Sequence, residues 1–180
     1  MKIIAFTGMP CSGKSEAVNI AKDKGIPVIR MGDMIWRETK NQGLELNDKN
    51  VGEVANSMRN KYGKDIWARR TVDEIKSLNK TDYIVVDGIR NIEEINLFKK
   101  ELSSDFVVIA IDAPNELRKK RALSRGRKDD SNDVKNIGER DKRELRWGIG
   151  DVIASADIVI SNEGSIDEFR RRVKEVLQKL

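Results

Sequence analysis

The sequence predicts an α/β fold: a five-stranded parallel sheet with helices on both faces. Three observations lead there. Short β-branched apolar runs recur along the chain, helical periodicity fills the intervals, and the first run enters a glycine-rich turn that opens a helix. At 180 residues the chain is long enough for one well-buried core and short for two ordinary domains, so a single domain over 1–180 is expected.

In chain order, KIIAFT at 2–7 reads as the first strand. GMPCSGKS at 8–15 follows it, and a helical pattern runs from Ser15 to Lys24, stopped by Gly25. PVIR at 27–30 reads as a second strand. Residues 33–78 then hold three helical patterns without a strand between them. One repeats apolar positions as Val51, Val54 and Met58, the next as Val72, Ile75 and Leu78, and Gly43 and Gly63 stand where helices end. DYIVVD at 82–87 is the third strand, and Asn91-Ile92-Glu93-Glu94 has the spacing of a capping box. FVVIAI at 106–111 is the fourth strand. Residues 115–147 form a basic helix, a polar turn at 126–133 (GRKDDSND) and a second helix of mixed charge. DIVIS at 157–161 completes the sheet, and Ser165-Ile166-Asp167-Glu168 opens the last helix.

Nearly continuous apolarity in the last three strands suits burial on both faces, as in a parallel sheet. Strand–helix alternation implies right-handed crossovers in a doubly wound arrangement. The domain is expected to consist of a core at 1–32, 79–114 and 148–180, a helical substrate-binding insertion at 33–78, and a lid at 115–147.

Composition narrows the chemistry. Cys11 is the only cysteine and histidine is absent, which excludes an internal disulfide, Cys/His zinc sites, Ser-His-Asp triads and histidine general bases. No run of eighteen apolar residues is present and no leader pattern opens the chain, so a cytoplasmic protein without membrane association is expected. The net charge is +5, yet residues 117–147 alone hold twelve Lys/Arg and six Asp/Glu, a net of +6, leaving −1 for the rest. So localised a charge points to an anionic ligand at that segment.

The spacing of Gly8, Met9, Pro10, Cys11, Ser12, Gly13, Lys14 and Ser15 fits GxxxxGK[ST], with a strand before it and a helix after it. In such a loop glycines let backbone N–H groups turn toward a β-phosphate, and the helix N-terminus adds its positive dipole. Lys14 is expected to reach the β- and γ-phosphates of ATP, and the Ser15 hydroxyl to ligate Mg²⁺. Asp87, at the carboxyl end of a buried strand, fits the acidic group that holds the same metal through water. Cys11 reads as a small residue filling a tight loop, Trp36 as a core aromatic, and Trp67 and Trp147 as packing residues.

Further stretches carry a family resemblance. DGIRN at 87–91 resembles the Asp-Gly-aromatic-Pro-Arg element of adenylate kinases, and MGDMIWRE at 31–38 their Thr-Gly-Asp-Met-Leu-Arg element. RALSRGRKDD at 121–130 resembles the lid of short adenylate kinases. RELRWGIGDVIASADIVISNEGS at 143–165 is similar to the C-terminal part of an archaeal family of adenylate-kinase-related, dephospho-CoA-kinase-like P-loop proteins, and its ADIVISNEGS portion to dephospho-CoA kinases. The resemblance implies a three-layer P-loop NTPase fold of the nucleoside monophosphate kinase type. It further implies a kinase that moves the γ-phosphoryl of Mg-ATP to a small nucleotide-type acceptor.

By the same resemblance Arg37 and Arg90 grip the acceptor phosphate and Asp33 positions the acceptor's entry helix. Arg121, Arg127 and Arg140 close over the transferring group. Two departures fall on the acceptor side. Trp36 is an extra residue that shifts Arg37 by one helical position, about 100°, and the missing proline brings Arg90 one residue nearer to Asp87.

A dephospho-CoA acceptor would call for a carboxylate base, for which Asp33 is the candidate. An ATPase switch acting with an RNA or protein partner is the alternative outside the kinases. Acids interleaved with the basic residues, and the lack of an aromatic stripe, argue against a nucleic-acid surface. The loop assignment predicts that Lys14→Ala abolishes turnover of ATP while the circular dichroism of the folded chain is unchanged. Undiminished turnover would refute it.

Overall fold

The computed structural model describes residues 1–78, 81–102, 105–125 and 134–180. In chain order the elements are β1 (Lys2–Thr7), α1 (Lys14–Asp23), β2 (Val28–Arg30), α2 (Met31–Asn41), α3 (Asp48–Tyr62), α4 (Ile66–Ser77) and β3 (Tyr83–Asp87). They continue with α5 (Ile92–Leu102), β4 (Phe106–Asp112), α6 (Asn115–Arg125), α7 (Val134–Trp147), α8 (Ile149–Ala154), β5 (Ile158–Ser161) and α9 (Ile166–Lys179). The five strands pair in the order β2-β3-β1-β4-β5, all parallel. Each expected strand is present, within a residue of its expected ends.

Strand periodicity sorts the core into two layers. Ile3 and Ala5 of β1 point to one face, with Ile84 and Val86 of β3, Phe98 of α5, Trp67 of α4 and Val152 of α8. Ile4 and Phe6 point to the other, with Val85, Ile109 and Ile111 and with Ala17 of α1 and Phe169 of α9. A side-chain period of two therefore buries both faces of the central strand.

The insertion packs through its expected apolar stripes. Val54, Met58, Val72 and Ile75 are buried, whereas Val51 and Leu78, at the outer ends of the same patterns, are half-buried and exposed. Trp67 is fully buried and donates from Nε1 to the Ala55 carbonyl (3.3 Å), which couples α4 to α3. Trp36 does not join the core: it is 45% exposed because Met31 and Met34 take the buried face of α2. Two residues beyond Met34, a helix presents its opposite side.

Helix ends follow the local sequence with one instructive exception. Ser165 and Glu168 form a reciprocal box, with Glu168 N–H donating to Ser165 Oγ (3.2 Å) and Ser165 N–H to Glu168 Oε2 (3.0 Å). At α5 only half of the box forms. Glu94 N–H donates to Asn91 Oδ1 (2.8 Å), but the Glu94 carboxylate instead accepts the Arg90 N–H (2.7 Å) and is fully buried. α8 follows α7 directly, where the expected lid pattern ends at Trp147. Gly148 (φ 104°) breaks the two, and α8 then sends Ile149 and Val152 into the core.

Trp67→Ala is expected to lower the unfolding free energy by about 3–5 kcal/mol, the usual loss for an aromatic removed from a tight core. Urea denaturation of the two proteins measures it.

Candidate active site

Strand register sets the site. Phe6 pairs with Asp87 and Arg30 pairs with Asp87, so β1, β3 and β2 end together at the carboxyl edge of the sheet. The neighbouring strands β1 and β3 send the chain to opposite sides of the sheet, β1 toward β2 and β3 toward β4. Ligands of open parallel sheets bind at such a switch point. Thr7 donates from Oγ1 to the Ile89 carbonyl (3.1 Å), fastening the start of the phosphate loop to the segment after β3.

The loop itself turns on two glycines. Gly8 has φ 147° and Gly13 φ 108°. A Cβ on Gly13 would lie 2.1 Å from Asn162 Nδ2, and one on Gly8 2.5 Å from the Ile111 carbonyl oxygen. Cys11, at φ 62°, also takes the left-handed conformation.

The loop's carbonyls are satisfied from behind. Pro10 O accepts from Arg118 (3.1 Å), and Ser12 O accepts from Asn162 Nδ2 (2.8 Å) and Arg121 (3.2 Å). Arg118 is buried and also forms a two-bond pair with Asp141 of α7 (3.0 and 2.7 Å). With carbonyls occupied on the outer side, the loop's N–H groups can serve an anion on the inner one.

Lys14 is the first residue of α1 and Ser15 the second. Lys14 Nζ lies 3.4 Å from Asp87 Oδ1, and both side chains are largely buried. Burial pushes the Lys14 ammonium below its usual pKa, and the attraction of Asp87 opposes that shift without cancelling it. Lys14 is thus more embedded than a charge reaching out from a loop. Asp87 Oδ1 is buried and makes no hydrogen bond among the described residues, its contact with Lys14 being ionic only. A hydroxyl, an under-used carboxylate oxygen and the oxygens of a bound phosphate form the hard donor set that Mg²⁺ prefers, so Ser15 and Asp87 fit this metal.

A cleft of about 210 Å³ opens beside Lys14 and Asp87, and Asp33, Trp36, Arg90 and Arg140 line it as well. Asp33 lies in the first turn of α2, where partial burial raises its pKa against the pull of Arg30 and Arg37. Arg90 pairs through Nε with Glu144, and Arg140 Nε lies 3.9 Å from Asp48.

Other expected residues stand elsewhere. Arg37 is bound to Glu74 on the outer face between α2 and α4 and does not line the cleft. Arg121 grips the loop carbonyl of Ser12 and the Asn162 carbonyl (2.9 Å), so its guanidinium lies against the back of the loop. Arg127 lies outside the described residues.

Sequence reasoning missed several charged and aromatic cleft residues, Arg30 and Asp48 among them. Arg59 comes from α3, and Arg143, Glu144 and Trp147 come from α7. With Arg140 they follow the i, i+3, i+4, i+7 spacing of one helical face, the signal that could have found the α7 set. Arg143 bonds Asp48 twice (3.2 and 2.8 Å) and lies over Gly52, where a Cβ would come 2.9 Å from its NH1. Trp147, expected as a packing residue, is half-exposed and stacks on the Arg59 guanidinium at 4.4 Å.

Fold and loop together define an α/β P-loop protein of the kinase-like kind, and the comparisons with known proteins agree. Residues 7–138 match the family described as AAA domain. A UPF0200 protein of Methanosarcina barkeri is 48% identical over 177 residues, covering 98% of this chain and 95% of that one. A UPF0200 protein of Thermococcus onnurineus is 37% identical, covering 99% and 97%. The chain belongs to that AAA domain family and to the UPF0200 proteins.

Two solved structures share its fold at 20% identity. TT1252 from Thermus thermophilus superposes with a TM-score of 0.67 over 99% of this chain and 97% of that one. Shikimate kinase from Aquifex aeolicus superposes with a TM-score of 0.53 over 99% and 96%.

Asn162→Ala removes a buried donor to the loop and is expected to weaken ATP binding roughly five- to thirtyfold, or about 1–2 kcal/mol. Titration calorimetry with Mg-ATP reads this directly.

Proposed function

We propose that this protein is a Mg-ATP-dependent phosphotransferase acting on a small nucleotide-type acceptor. The observation that carries the proposal is the meeting of the phosphate loop, Lys14 and Asp87 with an arginine-lined cleft at the same sheet edge. The triphosphate would lie on residues 8–15, with Lys14 at its β- and γ-phosphates and Ser15 and Asp87 holding the metal. Mg²⁺, when bound, would neutralise charge between those phosphates. Lys14 sits where burial disfavours its own charge, and an anion beside it would relieve that penalty.

The cleft carries six cations (Lys14, Arg30, Arg59, Arg90, Arg140, Arg143) against four acids (Asp33, Asp48, Asp87, Glu144), a net of +2. Planar guanidinium groups suit a transition state that spreads charge over three equatorial oxygens. In this reading Arg90 and Arg140 would be the arginines nearest the transferring group and Asp33 would orient the acceptor. Arg121 would act through the loop it braces. α7 would shield the site from water, which would otherwise take the phosphoryl group.

One observation favours dephospho-CoA or another hydroxyl acceptor as a second reading. Asp33 lies at the cleft with a raised pKa, which suits a carboxylate that takes a proton from a hydroxyl. A coupled assay with Mg-ATP and a panel of nucleoside monophosphates plus dephospho-CoA separates the readings. Turnover with a monophosphate is expected, and Asp33→Asn should then lower it less than tenfold. Turnover with dephospho-CoA alone, lost in Asp33→Asn, would move the assignment to the second reading. Product with no acceptor, alongside RNA-stimulated ATP hydrolysis, would overturn the kinase assignment.

A further inference from the structure

Arg59 is a buried cation whose hydrogen bonding is incomplete. Its side chain is 5% exposed, and NH2 donates to Glu94 Oε1 at 3.2 Å. Nε and NH1 are shut off from solvent and make no hydrogen bond among the described residues. A guanidinium has one N–H on Nε and two on each terminal nitrogen, so at least three of its five donors lack an acceptor. A buried cation in this condition is costly unless something completes it. Glu94 is a limited partner, since its other oxygen is taken by the Arg90 N–H (2.7 Å) and burial raises its pKa. The Trp147 ring, 4.4 Å above, offers a π-face but no in-plane lone pair for these donors.

Trp147 is held by weak contacts, its ring meeting the guanidinium groups of Arg59 at 4.4 Å and Arg143 at 5.6 Å. It ends α7 beside Gly148, and its Nε1 reaches Asn56 Oδ1 only at 3.4 Å. Arg59 and Trp147 border the reaction cleft and also a larger groove of about 770 Å³ between α3 and α7. That groove carries five cations (Lys49, Arg59, Lys64, Arg143, Arg146) against three acids (Asp48, Glu53, Glu139), a net of +2.

We propose that Arg59 is an anion-binding residue of the acceptor site, covered by Trp147, and that the acceptor carries a non-reacting phosphate or carboxylate that Arg59 holds. The inference rests on the phosphotransferase reading and names its acceptor class: a compound with a second anionic group beyond the reacting end. The Trp147 ring turns aside to admit the anion, whose oxygens then accept from the donors of Arg59 that Glu94 leaves unused.

The test titrates inorganic phosphate, and in a parallel arm acetate, into the full chain already saturated with Mg-ADP. Tryptophan fluorescence and calorimetry are the readouts. Wild type is expected to bind at least one of the two anions with a fluorescence change, and the arm that responds tells phosphate from carboxylate. Trp147→Phe should keep the heat of binding and lose the fluorescence change. Arg59→Lys retains the charge but not the planar set of guanidinium donors and should bind at least tenfold more weakly. Arg59→Met combined with Glu94→Gln removes the buried ion pair, leaves an acceptor for the Arg90 N–H, and should abolish binding.

Equal affinity in wild type and both Arg59 variants, or no binding of either anion, would overturn the inference and leave the phosphotransferase reading standing. Absence of Mg-ADP binding in the first step would instead sink that reading. The anion titration is then run without nucleotide on Lys14→Ala, where a retained, Arg59-dependent response supports the site and its loss refutes it.

Discussion

The site depends on the carbonyls of the phosphate loop being held from behind. A backbone that directs its N–H groups toward an anion must place its carbonyl oxygens on the opposite side, and buried carbonyls need donors there. Arg118 serves Pro10, while Asn162 and Arg121 serve Ser12. Asn162 stands just beyond β5 and is tied by its own N–H to the Asp112 carbonyl at the end of β4 (2.7 Å). The order of strands β1, β4 and β5 is therefore also a device for delivering a side-chain amide to the loop. The loop's second glycine answers the same contact, because Asn162 occupies the space of any Cβ at position 13.

The same braces extend to the helices over the cleft. Arg118 joins loop and α6 to Asp141 of α7, and two residues further along α7, Arg143 joins it to Asp48 of α3. Arg90, after β3, pairs with Glu144 on the same face of α7. Loop, insertion and cover are thereby linked by arginine–carboxylate contacts that converge on one helix. Buried pairs of this kind are weak sources of net stability but strong constraints on geometry, since either partner left alone in the interior is costly.

Burial governs the electrostatics of the site more than pairing does. Lys14 sits below its usual pKa although Asp87 is 3.4 Å away, and Glu94 sits above its own although Arg59 and Arg90 adjoin it. In both cases desolvation outweighs the opposite charge, as it does where water is excluded on most sides. A cleft with that property favours ligands that bring compensating charge with them.

Much was legible in the sequence alone. The five strands, the three helices of the insertion, the phosphate loop with Lys14 and Ser15, and the position of Asp87 at a strand end all follow from periodicity and short spacings, because their physics is local. Trp36, Trp147, Arg37 and the partners of Arg121 were not legible. Which face of α2 is buried depends on whether Met34 or Trp36 meets the core, and which arginine meets which carboxylate depends on how α3, α6 and α7 cross. Thirty-five Lys and Arg among 180 residues leave that matching open along a single chain. Long-range packing decided it, by placing α7 over α3 so that Arg143 found Asp48 and Trp147 covered Arg59.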